Sequence, residues 1–221
     1  MRRHKYPQPP SLVELGLVAP EERPGVRRRS GEELPKLKRF RFQLLARWIR
    51  ETFPPCRVAD IGGGKGLLSY LLRRDGYDAV VIDPVRQELP DRYRDLDTGE
   101  RVRIPPDVTV PRITAPYQAR LGERFDLLVA LHAHGTNLAV LDTVARAGSS
   151  CVVLPCCVIE EPEVPPRDQN WFMWLVERAA DLGLDPCLFY LNFHGQNVGF
   201  YVTNSGGSPR RLPPEPPHRV P

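Results

Sequence analysis

A chain of 221 residues with a 41% hydrophobic fraction has room for one α/β domain with extensions and enough apolar material for a core, which excludes two large domains. No apolar run approaches the ~20 residues of a membrane span. Five cysteines, an odd number scattered through apolar stretches, fit reduced, mostly buried thiols in a cytoplasmic protein better than a disulfide framework.

The N-terminal stretch Met1-Arg2-Arg3-His4-Lys5-Tyr6-Pro7 lacks the apolar segment of a secretory signal. The net charge of +4 is unevenly spread: residues 1–41 hold eleven Lys and Arg against five Asp and Glu, so the remainder is slightly acidic. Polyanion affinity is therefore expected in the N-terminal segment, at Arg27, Arg28 and Arg29 and at Lys36, Lys38, Arg39 and Arg41. Residues 1–32 read as a basic, Pro-rich arm, with the apolar run Leu12 to Val18 forming a helical turn that docks on the domain.

From Glu33 to Thr52, Leu37, Phe40, Leu44, Leu45, Trp48 and Ile49 recur at helical spacing, and Phe53-Pro54-Pro55 stops the helix. A strand at 57–61, a helix at 66–74 and a strand at 79–82 follow. The span 84–124 is irregular, with a third strand near Val108 to Ile113 that Pro105, Pro106 and Pro111 confine to an edge. Then come a strand at 125–131, a helix at 136–147, a strand at 151–154, a helix at 168–182, and strands at 187–193 and 197–203. Alternating strands and helices make this an α/β fold with a mostly parallel, doubly wound sheet. The last two strands, joined only around His194-Gly195-Gln196, should form an antiparallel hairpin. Residues 33–203 are thus the main domain, and 204–221, with Gly-Gly-Ser and repeated prolines, read as a disordered tail.

The densest chemical signal is Val58-Ala59-Asp60-Ile61-Gly62-Gly63-Gly64-Lys65-Gly66-Leu67-Leu68-Ser69. A buried strand ends in an acid, turns through glycines and opens into a helix whose first N–H groups are unpaired. The second strand ends in Asp83, an acid that can hydrogen-bond a ribose. The dinucleotide fingerprint needs Gly or Ala where Leu67 stands, and a P-loop needs Ser or Thr where Gly66 stands. What remains, Asp60, Gly62, Gly64 and Gly66 as D-x-G-x-G-x-G, resembles motif I of the class I S-adenosylmethionine-dependent methyltransferases. That resemblance implies that the glycines meet the amino-acid end of S-adenosylmethionine and that Asp83 holds its ribose, with Asp60 supporting the turn. Lys65 either faces the cofactor carboxylate or solvent.

Two further strand ends carry unusual residues. Strand 125–131 runs into His132-Ala133-His134-Gly135, and strand 151–154 into Pro155-Cys156-Cys157. In a methyltransferase sheet these strands are neighbours. Lys65-Gly66-x-Leu68-Ser69, Leu131-His132-Ala133 and Pro155-Cys156-Cys157 are similar to a methyltransferase subgroup with K-G-x-L-S, L-H-A-C-D and P-C-C motifs, related to tRNA ribose methyltransferases. His134 and Gly135 depart from that pattern, where the subgroup has Cys and Asp.

Four readings of this cluster compete: polar filler in tight loops, acceptor positioning and acid–base chemistry, a zinc shell of two imidazoles and two thiolates, and a nucleophilic thiolate at Cys156 or Cys157. H-x-H and adjacent C-C are poor loop spacings for zinc, so no metal is assigned. His132 and His134 are the candidate catalytic residues, His132 the more rigidly placed, and Pro155, Cys156 and Cys157 the acceptor side. Trp171, Phe172, Trp174 and Leu175 read as core packing, with Trp171 or Trp174 alternatively stacking a base. Asn192, His194 and Asn197 are expected to satisfy turn backbone. The reading adopted is an S-adenosylmethionine-dependent methyltransferase with RNA as acceptor, on the strength of the resemblance and the basic arm. The alternatives are a protein or small-molecule acceptor, or a non-catalytic module that binds RNA or a partner protein.

Overall fold

Residues 10–17 and 38–204 are described by the computed structural model; Arg27, Arg28, Arg29, Lys36, the start of the expected 33–52 helix and the tail from 205 lie outside them. Ser11 and Glu14 form a reciprocal cap, the Ser11 N–H donating to Glu14 Oε2 at 2.7 Å and the Glu14 N–H to Ser11 Oγ at 3.3 Å. The turn that follows sets Leu15 against the core, which is the docking expected of this apolar run.

A 3-10 turn at Lys38–Phe40 leads into α1 (Arg41–Thr52). Phe53 ends that helix in an extended conformation, φ −124° and ψ 138°, because a following proline disfavours the helical region. Then come β1 (Arg57–Ile61), α2 (Leu67–Arg74) and β2 (Asp78–Ile82). The expected irregular span holds more order than foreseen: β3 (Arg92–Arg94) and β4 (Arg101–Arg103) pair as a separate antiparallel ribbon, and a one-turn helix α3 (Ala119–Gly122) closes the span. The third sheet strand, β5 (Arg112–Ile113), lies where it was expected, on the sheet edge beside β2. β6 (Leu127–Leu131), α4 (Asn137–Ala147), β7 (Ser150–Leu154), α5 (Trp171–Asp181), β8 (Cys187–Tyr190) and β9 (Val198–Val202) complete the chain.

The main sheet has the order β5-β2-β1-β6-β7-β9-β8. Its first five strands run parallel, and β9 is antiparallel to both β7 and β8. Strand alternation sorts the core into two layers. Val58, Leu127, Val129, Leu131, Val152 and Leu154 pack with α1 and α2, where Leu45, Ile49, Leu68 and Leu72 are fully buried. Ala59, Ile61, Leu128, Ala130 and Val153 face α4 and α5 on the other side, through Leu138, Leu141, Phe172 and Leu175. Burying a leucine or isoleucine of this size stabilises by about 2 kcal/mol, so α1 is an integral layer of the domain.

Three polar contacts hold the β3–β4 ribbon over the helices. Gln43 Nε2 donates to the Arg94 carbonyl at 2.7 Å, Arg47 Nη2 to Asp97 at 2.6 and 2.8 Å, and Arg74 Nη1 to the Tyr93 hydroxyl at 2.7 Å. Tyr93 and Val102 turn inward onto Tyr70 and Ile104. The alternation Arg-Tyr-Arg and Arg-Val-Arg was the signal for this ribbon, but three residues are too few for the pattern to stand out. Among the described residues no helix is long and apolar enough to cross a membrane.

Candidate functional site

A cavity of about 550 Å³ opens at the C-terminal ends of β1 and β6. The glycine turn forms its floor through Gly62, Gly63, Gly64 and Lys65; the lead-in and first turn of α1 form one wall, β3 a second, and Leu131 with His132 the inner end.

The turn is fixed from both sides. The Gly62 N–H donates to the Ile82 carbonyl and the Gly66 N–H to the Gly63 carbonyl, both at 2.8 Å. Asp83, at the end of β2, accepts the Gly64 N–H at 2.9 Å on Oδ2 and the Val85 N–H at 2.8 Å on Oδ1. Asp60 caps α2 instead: its Oδ2 accepts the Ser69 N–H at 3.2 Å and the Ser69 hydroxyl at 2.9 Å. Burial pushes the Asp60 carboxyl up to about 6, against the Ser69 hydrogen bonds and the nearby Arg112, with Asp83 adding to the rise.

The glycines are not equivalent. A Cβ on Gly64 would meet nothing nearer than Gln87 Nε2 at 3.8 Å, so this position opens onto the cavity. Gly66, at φ 81°, is the left-handed residue that starts α2, and a Cβ there would sit 2.8 Å from Val110 Cγ2. Its requirement is for packing, and it does not line the cavity, whereas Gly63, not singled out in the sequence reading, does.

The two histidines part company. His132 follows β6 directly in a left-handed conformation, φ 55°, which costs about 1 kcal/mol for a residue with a Cβ. Its N–H continues the ladder to the Leu154 carbonyl at 3.0 Å, and its Nε2 lies 2.8 Å from the Gln196 carbonyl. A carbonyl only accepts, so Nε2 carries the proton and Nδ1 of the neutral ring holds a lone pair. Burial lowers the pKa of His132, with Lys38, Arg41 and His134 acting the same way and the Gln196 contact acting against them. His134 is exposed and sits with Cys156 and Cys157, the three ligand-type atoms all within 4.8 Å of one another.

Cys156 Sγ and Cys157 Sγ are 3.5 Å apart. Burial and the neighbouring thiol push Cys156 up to about 12, so this thiol keeps its proton near neutrality and the nucleophilic-thiolate reading finds no support at Cys156. Pro155 is buried beneath them, and none of Pro155, Cys156 and Cys157 lines the cavity. Trp171 and Trp174 stack on each other at 5.5 Å and join the core beside α4, away from the cavity. Asn197 serves its turn as expected, donating Nδ2 to the Leu191 carbonyl at 3.0 Å.

The charge expected at Arg39 and Arg41 is joined in the cavity by cations from elsewhere in the chain. The domain is not basic overall, yet Arg39, Arg41, Lys65, Arg92 and Arg94 all line the cavity, and no Asp or Glu is among its described lining residues. Of the acids beside the ribbon, Asp97 is engaged by Arg47 and Asp91 reaches Arg92 at 3.7 Å. In the ribbon, Arg92 pairs across from Arg103 and Arg94 from Arg101, all four exposed. Like charges directly opposite are destabilising in a ladder. Burial also lowers the pKa of Arg41, a penalty that an anion in the cavity would relieve.

No family model matches the chain, and no curated protein matches it. Solved structures similar to it include the ribosomal protein L11 methylase from Lactobacillus delbrueckii subsp. bulgaricus, 14% identical over 77% of this chain and 81% of that one, TM-score 0.44. A TehB-like SAM-dependent methyltransferase from Corynebacterium glutamicum is 17% identical over 73% and 87%, TM-score 0.42. The 1,6-didemethyltoxoflavin-N1-methyltransferase of Burkholderia thailandensis, solved with 1,6-didemethyltoxoflavin and S-adenosylhomocysteine, is 13% identical over 76% and 80%, TM-score 0.45.

Proposed function

We propose that this chain is an S-adenosylmethionine-dependent methyltransferase whose acceptor is an RNA hydroxyl. One observation carries the reading: the glycine turn, the His132 imidazole and five cationic side chains share a single cavity. The residues present fit the donor. Gly64 leaves a cradle that a side chain there would fill, Gly62 lines the same cavity, and Asp83 fixes the turn from behind through the Gly64 and Val85 amides. When bound, S-adenosylmethionine supplies a methyl group on a positively charged sulfur, which leaves as a neutral thioether without a general acid.

The chain's own residues do the rest. Arg92 and Arg94 from β3 and Arg39 and Arg41 at the start of α1 hold phosphates on either side of the entrance. That fixes the acceptor hydroxyl in line, which is where most of the rate gain of such a transfer arises. His132 takes the hydroxyl proton at Nδ1 while the oxygen gains its methyl group, and the Gln196 carbonyl keeps the ring in the tautomer that can accept it. Arg27, Arg28 and Arg29, which lie outside the described residues, would add phosphate contacts.

Calorimetric titration with S-adenosylmethionine, followed by radiolabelled methyl transfer to bulk RNA with and without nuclease, tests the proposal. Binding near one equivalent and nuclease-sensitive incorporation are expected. Binding with label that survives nuclease would replace RNA by a protein or small molecule, and absence of binding would sink the enzyme reading altogether.

A further inference from the structure

We propose that His134, Cys156 and Cys157 bind one zinc ion, in a three-ligand site with its fourth position open to solvent. The site is separate from the cavity residues, and the inference stands whether or not the methyl-transfer reading does.

The separations suit the ion. A tetrahedral zinc with Zn–S bonds near 2.3 Å sets its thiolates roughly 3.7 Å apart. The two sulfurs stand at 3.5 Å, and the imidazole nitrogen lies within 4.8 Å of both, so closing the shell takes a small side-chain adjustment. Two thiolates neutralise the dication, which leaves a partly buried site without net charge. His132 is not a fourth ligand: only the ligand atoms of His134, Cys156 and Cys157 lie within 4.8 Å of one another, so the shell of two histidines and two cysteines weighed from the sequence gives way to three ligands.

The second argument is that the two loops are locked together before any ion arrives. Glu161, in the loop after Cys157, is buried and caps α4 across the gap between the loops. Its Oε1 accepts the Asn137 N–H at 3.0 Å and Asn137 Nδ2 at 2.6 Å, and its Oε2 accepts the Leu138 N–H at 3.4 Å. Gly135 approaches the Glu160 backbone so closely that a Cβ would lie 2.8 Å from its carbonyl oxygen. His134 and the cysteines therefore face each other because the strand-end loops are braced, which reduces the ordering cost of binding a metal. Three protein ligands with one open position is the arrangement of zinc sites that exchange a water for another donor, whereas sealed structural sites use four.

The test uses the reduced full-length chain, purified and stripped with chelator. Zinc titrated against a competing chromophoric chelator should bind at one equivalent per chain. Cobalt in its place should give thiolate-to-metal charge-transfer absorption and the intense visible bands of a tetrahedral ion. His134→Ala, at an exposed position where folding is not at risk, should weaken zinc binding at least tenfold, and Cys156→Ser or Cys157→Ser should remove the charge-transfer band or halve it. Circular dichroism of each variant separates loss of metal from loss of fold. Failure to bind zinc or cobalt at one equivalent, binding of copper(I) alone, or zinc affinity unchanged in His134→Ala and Cys156→Ser would each overturn the site.

Discussion

The Asp83 carboxylate holds the Gly64 amide at 2.9 Å, so the end of one strand fixes the turn that follows its neighbour. The glycine whose Cβ direction opens onto the cavity is therefore not free to move aside for a larger residue. Gly64→Leu should leave the fold largely intact, costing about 1 kcal/mol for a left-handed residue with a Cβ. It should abolish the rise in melting temperature produced by S-adenosylhomocysteine. Gly66→Ala should behave in the opposite sense, destabilising more because its Cβ collides with Val110, and affecting ligand response less. Thermal melts with and without ligand read both; equal loss of ligand response in the two variants would contradict the division of roles.

Asp60 gives a pH dependence with a definite sign. Its carboxyl is raised from 3.8 to about 6 in the folded state. Between those values the folded chain holds a proton that the unfolded chain has released. The stabilisation is complete below pH 3.8 and is lost as pH rises through 6, a difference of at most about 3 kcal/mol. Asp60→Asn cannot titrate, so urea midpoints from pH 4 to 7.5 should fall less steeply with pH than those of the parent. Parallel curves over that window would show that Asp60 is ionised throughout.

Relief of repulsion and loss of binding should come from the same substitutions in the ribbon. Arg92→Gln with Arg94→Gln removes the charges opposite Arg103 and Arg101. Stability should rise by a few tenths of a kcal/mol per pair. RNA affinity should fall, and the slope of log affinity against log salt should become shallower by about one to two. Neutralising Arg27, Arg28 and Arg29 should flatten the slope without the gain in stability. If the ribbon variant binds RNA with an unchanged slope, the phosphates lie elsewhere.

His132→Ala should lower methyl transfer by about 10²–10⁴-fold while donor binding and RNA binding persist. His132→Gln keeps a group able to donate to Gln196 but offers a much weaker base, and should be nearly as slow. Recovery of most activity in His132→Gln would assign His132 a positioning role.

The parts of the fold legible in the sequence were those set by local pattern. The Asp60 to Gly66 turn, the alternation of strands and helices, the prolines that push β5 to an edge and the short link between β8 and β9 each act within a few residues. The split between the two histidines was not legible, since it depends on Gln196, 64 residues from His132 in the chain. Nor was the cationic cavity, because net charge averages over acids such as Asp97 and Asp78 that fold onto other arginines. Glu161 gave no signal either: a helix cap supplied from a different loop has no fixed spacing to read.

That cap has a consequence for exchange with solvent. The first amides of a helix ordinarily lack partners and trade their protons for deuterium quickly. In α4 the Asn137 and Leu138 amides are held by Glu161, a residue of the following crossover. They can be released only when the segment around Glu161 lifts away, so these two amides and that segment should share one opening free energy. Deuterium uptake at the start of α4 thus becomes a clock for a loop more than twenty residues downstream. Glu161→Gln should set that clock running fast, with the far end of the helix unaffected.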